Sequence, residues 1–516
     1  MIAVTIQNVL YEAYKKWENK AYVYQKENGV FVPKTFGKTI LDILALSEEL
    51  ISLGFYDKKI MIYAENSYGW LVTDLAIMGY VGINVSVNKE WKFNDIDNVL
   101  KYTDVDLIIY SNTNNIEVIN QIKEKYKNIK YISFQDDFEN ILQSGHEKLA
   151  KKREKFDFNR KDPEETCKIM FSSGTTADPK ASMLTQVNMF SGWENFKRRV
   201  VFTSDDVCFL FLPMFHTYGG IYNVLYSFLA GCKLYICSDN SKIVEEIKEV
   251  EPTGICAVPL IFERIYNSID KKTLRLLYLL ICVSNFLRVF GIDIRKRLFK
   301  KIHILFGRNL KYISCAGAKF DYKIKKFFNN IGLPVLEAYA LTETASSFTL
   351  EYPRKHRNNS VGEIYEDIDV KIVKDGKSKY GEIIVKGKNV CKGYYKNEKA
   401  NKEAFDENGY FHTGDLGYID SKNRLYLIGR KRRVITLNNG ENIYPDEIEQ
   451  IIMRNEEITK VKVFEKDKQL HATVYVKENM NIDIDEVIRN TNKILSTYKQ
   501  VKEYDIIKDT VNARFK

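Results

Sequence analysis

Ser172-Ser173-Gly174-Thr175-Thr176-Ala177-Asp178-Pro179-Lys180 is the stretch on which the reading of this chain turns. The apolar run Ile169-Met170-Phe171 precedes it and Met183-Leu184-Thr185 follows. It therefore reads as a strand ending in a hydroxyl-rich loop with a lysine at its exit. Such a loop gathers backbone N–H groups, hydroxyl donors and one ammonium around a volume suited to phosphate oxygens. The order Gly-Lys-Ser/Thr is absent, which separates the loop from the P-loop of kinases and small GTPases. A Ser/Thr/Gly cluster by itself is most often a plain linker. The rest of the chain decides against that here.

At 516 residues the chain exceeds what one hydrophobic core holds, so two or more domains are expected. Hydrophobic residues make up 45% and charged residues 28%, the balance of a globular protein with ample apolar surface to bury. Nine prolines and no low-complexity tract exclude long disordered arms. The net charge of +10 is spread along a Lys-rich chain whose densest basic block is Arg430-Lys431-Arg432-Arg433. A solvated surface accounts for it, and no nucleic-acid partner is expected. Eight cysteines are scattered without a C-x-x-C pair, which fits a reducing cytoplasm. Met1 to Asn8 lacks the basic start and apolar block of a signal peptide. Leu276 to Val283 is too short an apolar run to span a bilayer. Flanked by Lys271, Lys272, Arg275 and Arg288, it reads as a buried core helix, with a helix resting on a membrane surface as the second reading.

From residue 1 to about 160, helical and β-rich runs alternate: a helix from Ile40 to Leu53, strands at Ile60–Ala64 and Leu107–Tyr110, a helix from Trp70 to Tyr80. The alternation resumes past the loop with a strand at Val207–Leu212, a helix from Tyr222 to Leu229 and a strand at Lys233–Cys237. This pattern implies parallel sheets covered by helices. After about residue 360 the texture turns to short strands and glycine-rich turns. Residues from about 433 onward read as a small α+β domain, with a helix from Pro445 to Arg454 and strands at Val461–Phe464 and His471–Val476.

Five further segments follow the loop in order. They are Leu212-Pro213-Met214-Phe215-His216-Thr217-Tyr218-Gly219, Ser314-Cys315-Ala316-Gly317-Ala318, Tyr339-Ala340-Leu341-Thr342-Glu343, Tyr410-Phe411-His412-Thr413-Gly414-Asp415-Leu416-Gly417, and Asn438 to Glu449. With the loop, usually written S/T-S/T-G-T-T-G-x-P-K-G, these six resemble the adenylate-forming enzymes, the acyl-CoA synthetase superfamily. The form of the last segment is similar to that of long-chain and medium-chain members.

The resemblance implies an α/β N-terminal region over 1–429, made of parallel sheets flanked by helices plus a β-rich subdomain. It further implies a hinge over 430–433, centred on Arg432, and a small mobile α+β C-terminal domain over 434–516. It assigns ATP and AMP binding to Ser172, Ser173, Gly174, Thr175, Thr176, Lys180, Gly317, Ala318, Ala338, Tyr339, Thr342, Asp415 and Arg430. Tyr339 would stack on adenine, Thr342 would meet the α-phosphate, and Asp415 would accept from both ribose hydroxyls. Thr175 and Glu343 would hold Mg²⁺, and His216, Tyr218 and Gly219 would border the acyl chain. A carboxylic acid, ATP and coenzyme A are the implied small-molecule partners. The implied activity is a ligase that makes acyl-AMP from a fatty acid and passes the acyl group to coenzyme A. Two alternatives stay open: loading of a carrier protein's phosphopantetheine, and a catalytically weak relative that binds nucleotide or acyl chains.

Four positions depart from the pattern. Ala177, Ala181 and Ala340 stand where the family has glycine, and alanine lacks easy access to positive φ. Alignment of Thr510-Val511-Asn512-Ala513-Arg514-Phe515-Lys516 with the family's T-x-x-G-K puts Arg514 where its catalytic lysine belongs. Arginine keeps the charge but replaces a compact ammonium with a wide planar fork.

Overall fold

The computed structural model describes residues 5–113, 116–152, 154–156, 161–171, 180–353, 359–374, 378–436, 442–455, 457–466, 469–477, 482–495 and 499–509. Among them, two sheets with largely parallel cores carry the N-terminal region. In the six-stranded sheet, Lys59–Tyr63 lies between Leu107–Tyr110 and Ile83–Ser86, and Thr166–Phe171 lies outside Ile83–Ser86, all parallel. In the nine-stranded sheet, Val207–Leu210, Gly254–Ala257, Tyr312–Cys315 and Val335–Tyr339 are parallel neighbours. Strands covered on both faces read as continuous apolar runs, and Leu107-Ile108-Ile109-Tyr110 is buried at every position.

Local chemistry sets the helix ends. Thr35 caps Phe36–Ser52 by accepting from Lys38 N at 3.1 Å. That helix buries Ile40, Ile43, Leu44 and Leu50 and stops at Gly54, whose φ of +88° suits glycine. An antiparallel four-stranded sheet follows, built from Asp369–Val373, Gly381–Lys386, Phe411–Ile419 and Leu425–Arg430. Beyond it, Ile458–Lys466, Gln469–Lys477 and Glu503–Asp509 form a three-stranded sheet. Pro445–Ile452 and Ile484–Ile494 pack on that sheet around a separate core that includes Ile448, Val463, Val474 and Ile488.

Three elements differ from the sequence expectation. The helix read as Tyr222–Leu229 starts earlier, as a π-helix over Tyr218–Leu225, and continues as Tyr226–Ala230. The wider turn lets Gly219 sit against Pro213, where an added Cβ would lie 2.1 Å from the Pro213 carbonyl oxygen. The helix read as Trp70–Tyr80 is Tyr68–Ala76 extended by a π-turn over Ile77–Val81.

The third difference is larger. The run expected as a core helix belongs to Lys271–Val289, and that helix is not buried. Leu274, Ile281 and Ser284 face the protein, whereas Leu276, Leu279 and Val283 face water. Among the described residues no helix is long and apolar enough to cross a membrane.

Candidate functional site

In sheets of this kind ligands gather outside the carboxyl ends of parallel strands. Thr166–Phe171 ends there and returns antiparallel as Ala181–Thr185, with Phe171 opposite Ala181. The hairpin so formed encloses 172–179. Ser172, Ser173, Gly174, Thr175 and Thr176 thus lie outside the described residues, as does Arg514. Lys180, at the hairpin's exit, is exposed, and its Nζ stands 5.4 Å from the centre of the Tyr394 ring. Ala181 opens a strand and Ala340 has no positive φ. Those two alanines therefore occupy ordinary backbone, and their departure from glycine carries no strain.

The next strand ends bring up the residues that the resemblance assigns to the nucleotide. Tyr312–Cys315 runs into Gly317 and Ala318, both exposed. Gly317 has φ +90°, and a Cβ there would meet only Val258 Cγ1, at 3.7 Å. Glycine is needed at that turn for its backbone, while the open side leaves room for a flat ligand. Val335–Tyr339 ends in buried Ala338 and Tyr339. The Tyr339 ring meets Phe348 edge-on at 4.8 Å, and its hydroxyl donates to Asp415 Oδ2.

Asp415 sits in the strand Phe411–Ile419, paired with Arg430 across the ladder. The Arg430 Nε lies 2.9 Å from Asp415 Oδ1. Each carboxylate oxygen has further lone pairs, so the group still accepts a diol after these two bonds. Burial raises the Asp415 pKa, opposed first by the Tyr339 hydrogen bond and then by the Arg430 charge.

Thr342 and Glu343 lie in a single 3₁₀ turn after the tyrosine, both partly exposed. Tyr394 donates from its hydroxyl to Glu343 Oε1 at 2.8 Å. Burial, followed by the Glu343 charge, drives the Tyr394 pKa upward, so the phenol keeps its proton and remains a donor. The segment around Tyr394 is held by main-chain bonds on two sides. Met183 N donates to Gly393 O at 2.9 Å and Tyr395 N to Ala181 O at 2.8 Å, while Cys391 N donates to Glu343 O at 2.8 Å. Cys391–Tyr395 thus ties the Thr166–Thr185 hairpin to the Glu343 turn. Sequence reasoning missed it; its only signal is Gly393, at φ +111°, followed by two tyrosines.

No group of three or more His, Cys, Asp or Glu that could hold a metal occurs among the described residues. A magnesium ion that keeps waters and phosphate oxygens needs only one or two carboxylates. Glu343 fits that need: it is partly exposed, and Tyr394 anchors one of its two oxygens.

His216, which the resemblance assigns to the acyl side, has an exposed residue surface and a ring 4.1 Å from that of Phe215. Desolvation by the protein around it holds its pKa below 6.5. Tyr218 opens the π-helix, and its hydroxyl donates to Ser314 Oγ at 2.8 Å, joining this segment to the strand that leads to Gly317. Gly219 is buried against Pro213. Arg432 lies in the 3₁₀ turn Lys431–Arg433 that follows the last strand of the four-stranded sheet. Its neighbour Arg433 bonds Asp446 and places Nη2 2.6 Å from Glu449 Oε1, on the helix Pro445–Ile452.

One end of the sheets therefore presents an ammonium, a carboxylate suited to a hard cation, a carboxylate–arginine pair suited to a diol, and a small-residue turn. That set matches a nucleoside triphosphate. Comparison with solved structures agrees on the fold. O-succinylbenzoate coenzyme A synthetase from Bacillus subtilis, in complex with AMP, superposes with TM-score 0.76 at 20% identity, over 97% of this chain and 95% of that one. The anthranilate CoA ligase AuaEII, in complex with anthranoyl-AMP, gives 0.80 at 14% identity over 99% and 94%. In sequence, the chain is 25% identical to a chloroplastic long-chain-fatty-acid–[acyl-carrier-protein] ligase of Arabidopsis thaliana, over 91% of this chain and 76% of the relative. It is 28% identical to long-chain-fatty-acid–CoA ligase 5 of Rattus norvegicus, over 79% of this chain and 65% of the relative. The family model described as AMP-binding enzyme matches residues 11–395, and the chain belongs to that family.

Proposed function

We propose that this protein is an AMP-forming acid–thiol ligase that activates a fatty acid as acyl-AMP and transfers the acyl group to coenzyme A. The observation that carries the reading is that Tyr394 brings Lys180 and Glu343 together, while Tyr339, four residues before Glu343, and Arg430 both address Asp415. In the first step a carboxylate oxygen of the acid attacks the α-phosphorus of ATP. The bond from that phosphorus to the bridging oxygen breaks, and pyrophosphate leaves with the electron pair. Lys180 offsets phosphate charge, Asp415 and Arg430 hold the ribose, and Tyr339 with Gly317 and Ala318 flanks the base. Magnesium, when bound, spreads the charge of the leaving pyrophosphate, and Glu343 with Thr175 would hold it. In the second step a thiol sulfur attacks the acyl carbonyl, its proton goes to solvent, and AMP leaves. Each step depends more on placement and charge than on proton transfer by a side chain.

His216, Tyr218 and Gly219 form the acyl wall in this reading, and the small domain turns about 430–433 between the two steps. Arg514 takes the place of the lysine that contacts carboxylate and α-phosphate. Seven of the eight free cysteines are buried as small hydrophobes, in keeping with a reducing cytoplasm.

A second reading rests on the Arabidopsis thaliana relative, whose name specifies an acyl-carrier protein as acceptor. The deciding experiment has two stages. Carboxylate-dependent ATP–pyrophosphate exchange across straight-chain acids, with aryl and amino acids as controls, tests adenylation. Thioester formation with coenzyme A, against a carrier protein bearing phosphopantetheine, then tests the acceptor. Exchange with one length class and a thioester on coenzyme A is the expected result. ATP binding without exchange on any acid would overturn the ligase in favour of a nucleotide-binding relative.

A further inference from the structure

The helix Lys271–Val289 carries its most regular apolar pattern on the side that faces water. Leu276, Leu279, Val283, Phe286 and Phe290 follow one another at spacings of three and four residues, which is one face of an α-helix. Their exposures are 55%, 62%, 48%, 65% and 66%. The Phe286 and Phe290 rings touch edge-on at 5.3 Å, and Val289 and Ile292 beside them are 80% and 50% exposed. A contiguous exposed patch of this kind marks an interaction surface.

Charge identifies the occupant. Nine lysines and arginines and only two acidic residues lie between Asp270 and Lys301. One acid, Asp293, is matched by Arg295 at 2.6 Å; the other, Asp270, caps the helix by accepting from Thr273 N. Lys271 reaches Glu457 of the small domain at 2.7 Å, while Lys272 and Arg275 are exposed on the same first turns. At the other end of the helix, a cleft of about 1170 Å³ is lined by Arg199, Arg288, Arg295, Lys296 and Lys311. Arg295 there answers Asp293, and Lys311 reaches Asp206 at 2.7 Å. Two buried donors on the cleft wall, Arg199 Nε and Asn329 Nδ2, have no hydrogen-bond acceptor among the described residues. An apolar stripe with cations at both ends suits a surface that is apolar inside and anionic outside. A second copy of this chain would bring equal positive charge against it.

The geometry points to this face as a membrane-docking surface for anionic phospholipid. The apolar stripe enters the acyl boundary, and the lysines and arginines at its two ends meet lipid phosphates. The inference is independent of the ligase reading, because docking is read without substrate.

The test is co-flotation of the full chain with vesicles of phosphatidylglycerol and phosphatidylcholine (30:70), against vesicles of phosphatidylcholine alone. The expected result is at least tenfold stronger partition to the anionic vesicles, reduced by high salt. The double variant Phe286→Ser/Phe290→Ser should lose at least tenfold of that partition. Both sites are exposed, so its urea midpoint should match the parent. Arg288→Glu/Lys296→Glu should lose binding to anionic vesicles only. Parent protein that ignores anionic vesicles, or a Phe286→Ser/Phe290→Ser protein that floats like the parent, overturns the proposal. A parent dimer that this double variant turns into a monomer, with no vesicle binding, overturns it in favour of a second copy.

Discussion

The Tyr394 hydroxyl donates to Glu343 Oε1 at 2.8 Å, across 51 residues of chain. The tyrosine is itself fixed to the strand Ala181–Thr185 by flanking main-chain bonds. Through this one side chain, the carboxylate suited to a metal and the hairpin suited to phosphate share a single frame.

Replacing Tyr394 with phenylalanine keeps the ring under Lys180 and removes only the hydroxyl. A hydrogen bond to a charged group is worth about 1.5–3 kcal/mol, so exchange should fall roughly ten- to a hundredfold. The loss should be partly recovered by excess Mg²⁺, because an unanchored carboxylate can still bind the ion. Exchange rates across a magnesium titration check this; a loss that no magnesium concentration alters would mean Tyr394 acts elsewhere. Glu343→Ala should abolish exchange at every magnesium concentration.

Asp415→Asn removes the charge that Arg430 and Tyr339 both address. The fold should persist, since Arg430 is exposed, while the KM for ATP rises about tenfold or more for loss of charged hydrogen bonds. Steady-state kinetics with the urea midpoint as control separates these. An unchanged KM would remove Asp415 from the ribose site.

Arg514→Lys should raise the adenylation rate, since a compact ammonium replaces a planar fork at a crowded site. A slower variant would refute either the alignment of the tail or the role given to it.

Beneath the strand that ends in Tyr339, Lys325 Nζ meets Glu337 at 2.7 Å and Glu351 at 2.9 Å, all three side chains being buried. Lys325→Met strands two buried carboxylates and should cost about 3–5 kcal/mol of stability. Burial pushes the Glu351 pKa from 4.5 up to about 7. A raised carboxyl contributes stability that is full below 4.5 and is lost as pH rises through about 7. The deficit of Lys325→Met should therefore shrink when urea unfolding is repeated at acidic pH. An equal deficit at both pH values would speak against buried charge as its cause.

His303 is buried and its Nε2 meets Ile331 O at 2.9 Å; burial is the main cause that holds its pKa below 6.5. The unfolded chain takes up this proton first as pH falls. The stability that His303 contributes is therefore full above 6.5 and is lost as pH drops through its lowered folded value. Urea midpoints taken at neutral and mildly acid pH should differ less in His303→Gln than in the parent.

Legibility in the sequence followed the reach of each signal. Leu107–Tyr110 was readable to the residue because a strand covered on both faces must be apolar throughout. Tyr339, Glu343, Asp415 and Arg430 stand out in the sequence because their motifs are short and local; the structure brings Tyr339 and Arg430 onto Asp415, and the roles given to all four are proposals. Tyr394 was not, since its role comes from pairing with a strand some two hundred residues earlier. The π-turn at Tyr218 was hidden too, because the close approach of Gly219 to Pro213 leaves no periodic trace. Leu276–Val283 misled for a different reason: an apolar run does not say which side of it faces the protein.

The register of Phe171 against Ala181 has a further consequence. The nine residues from Ser172 to Lys180 leave and rejoin the same ladder, so their length and composition can change without moving Phe171 or Ala181. The segment is an exchangeable cassette in a fixed mount. A graft of a related loop, glycines included, should alter nucleotide handling alone and leave the two sheets that carry it as they stand.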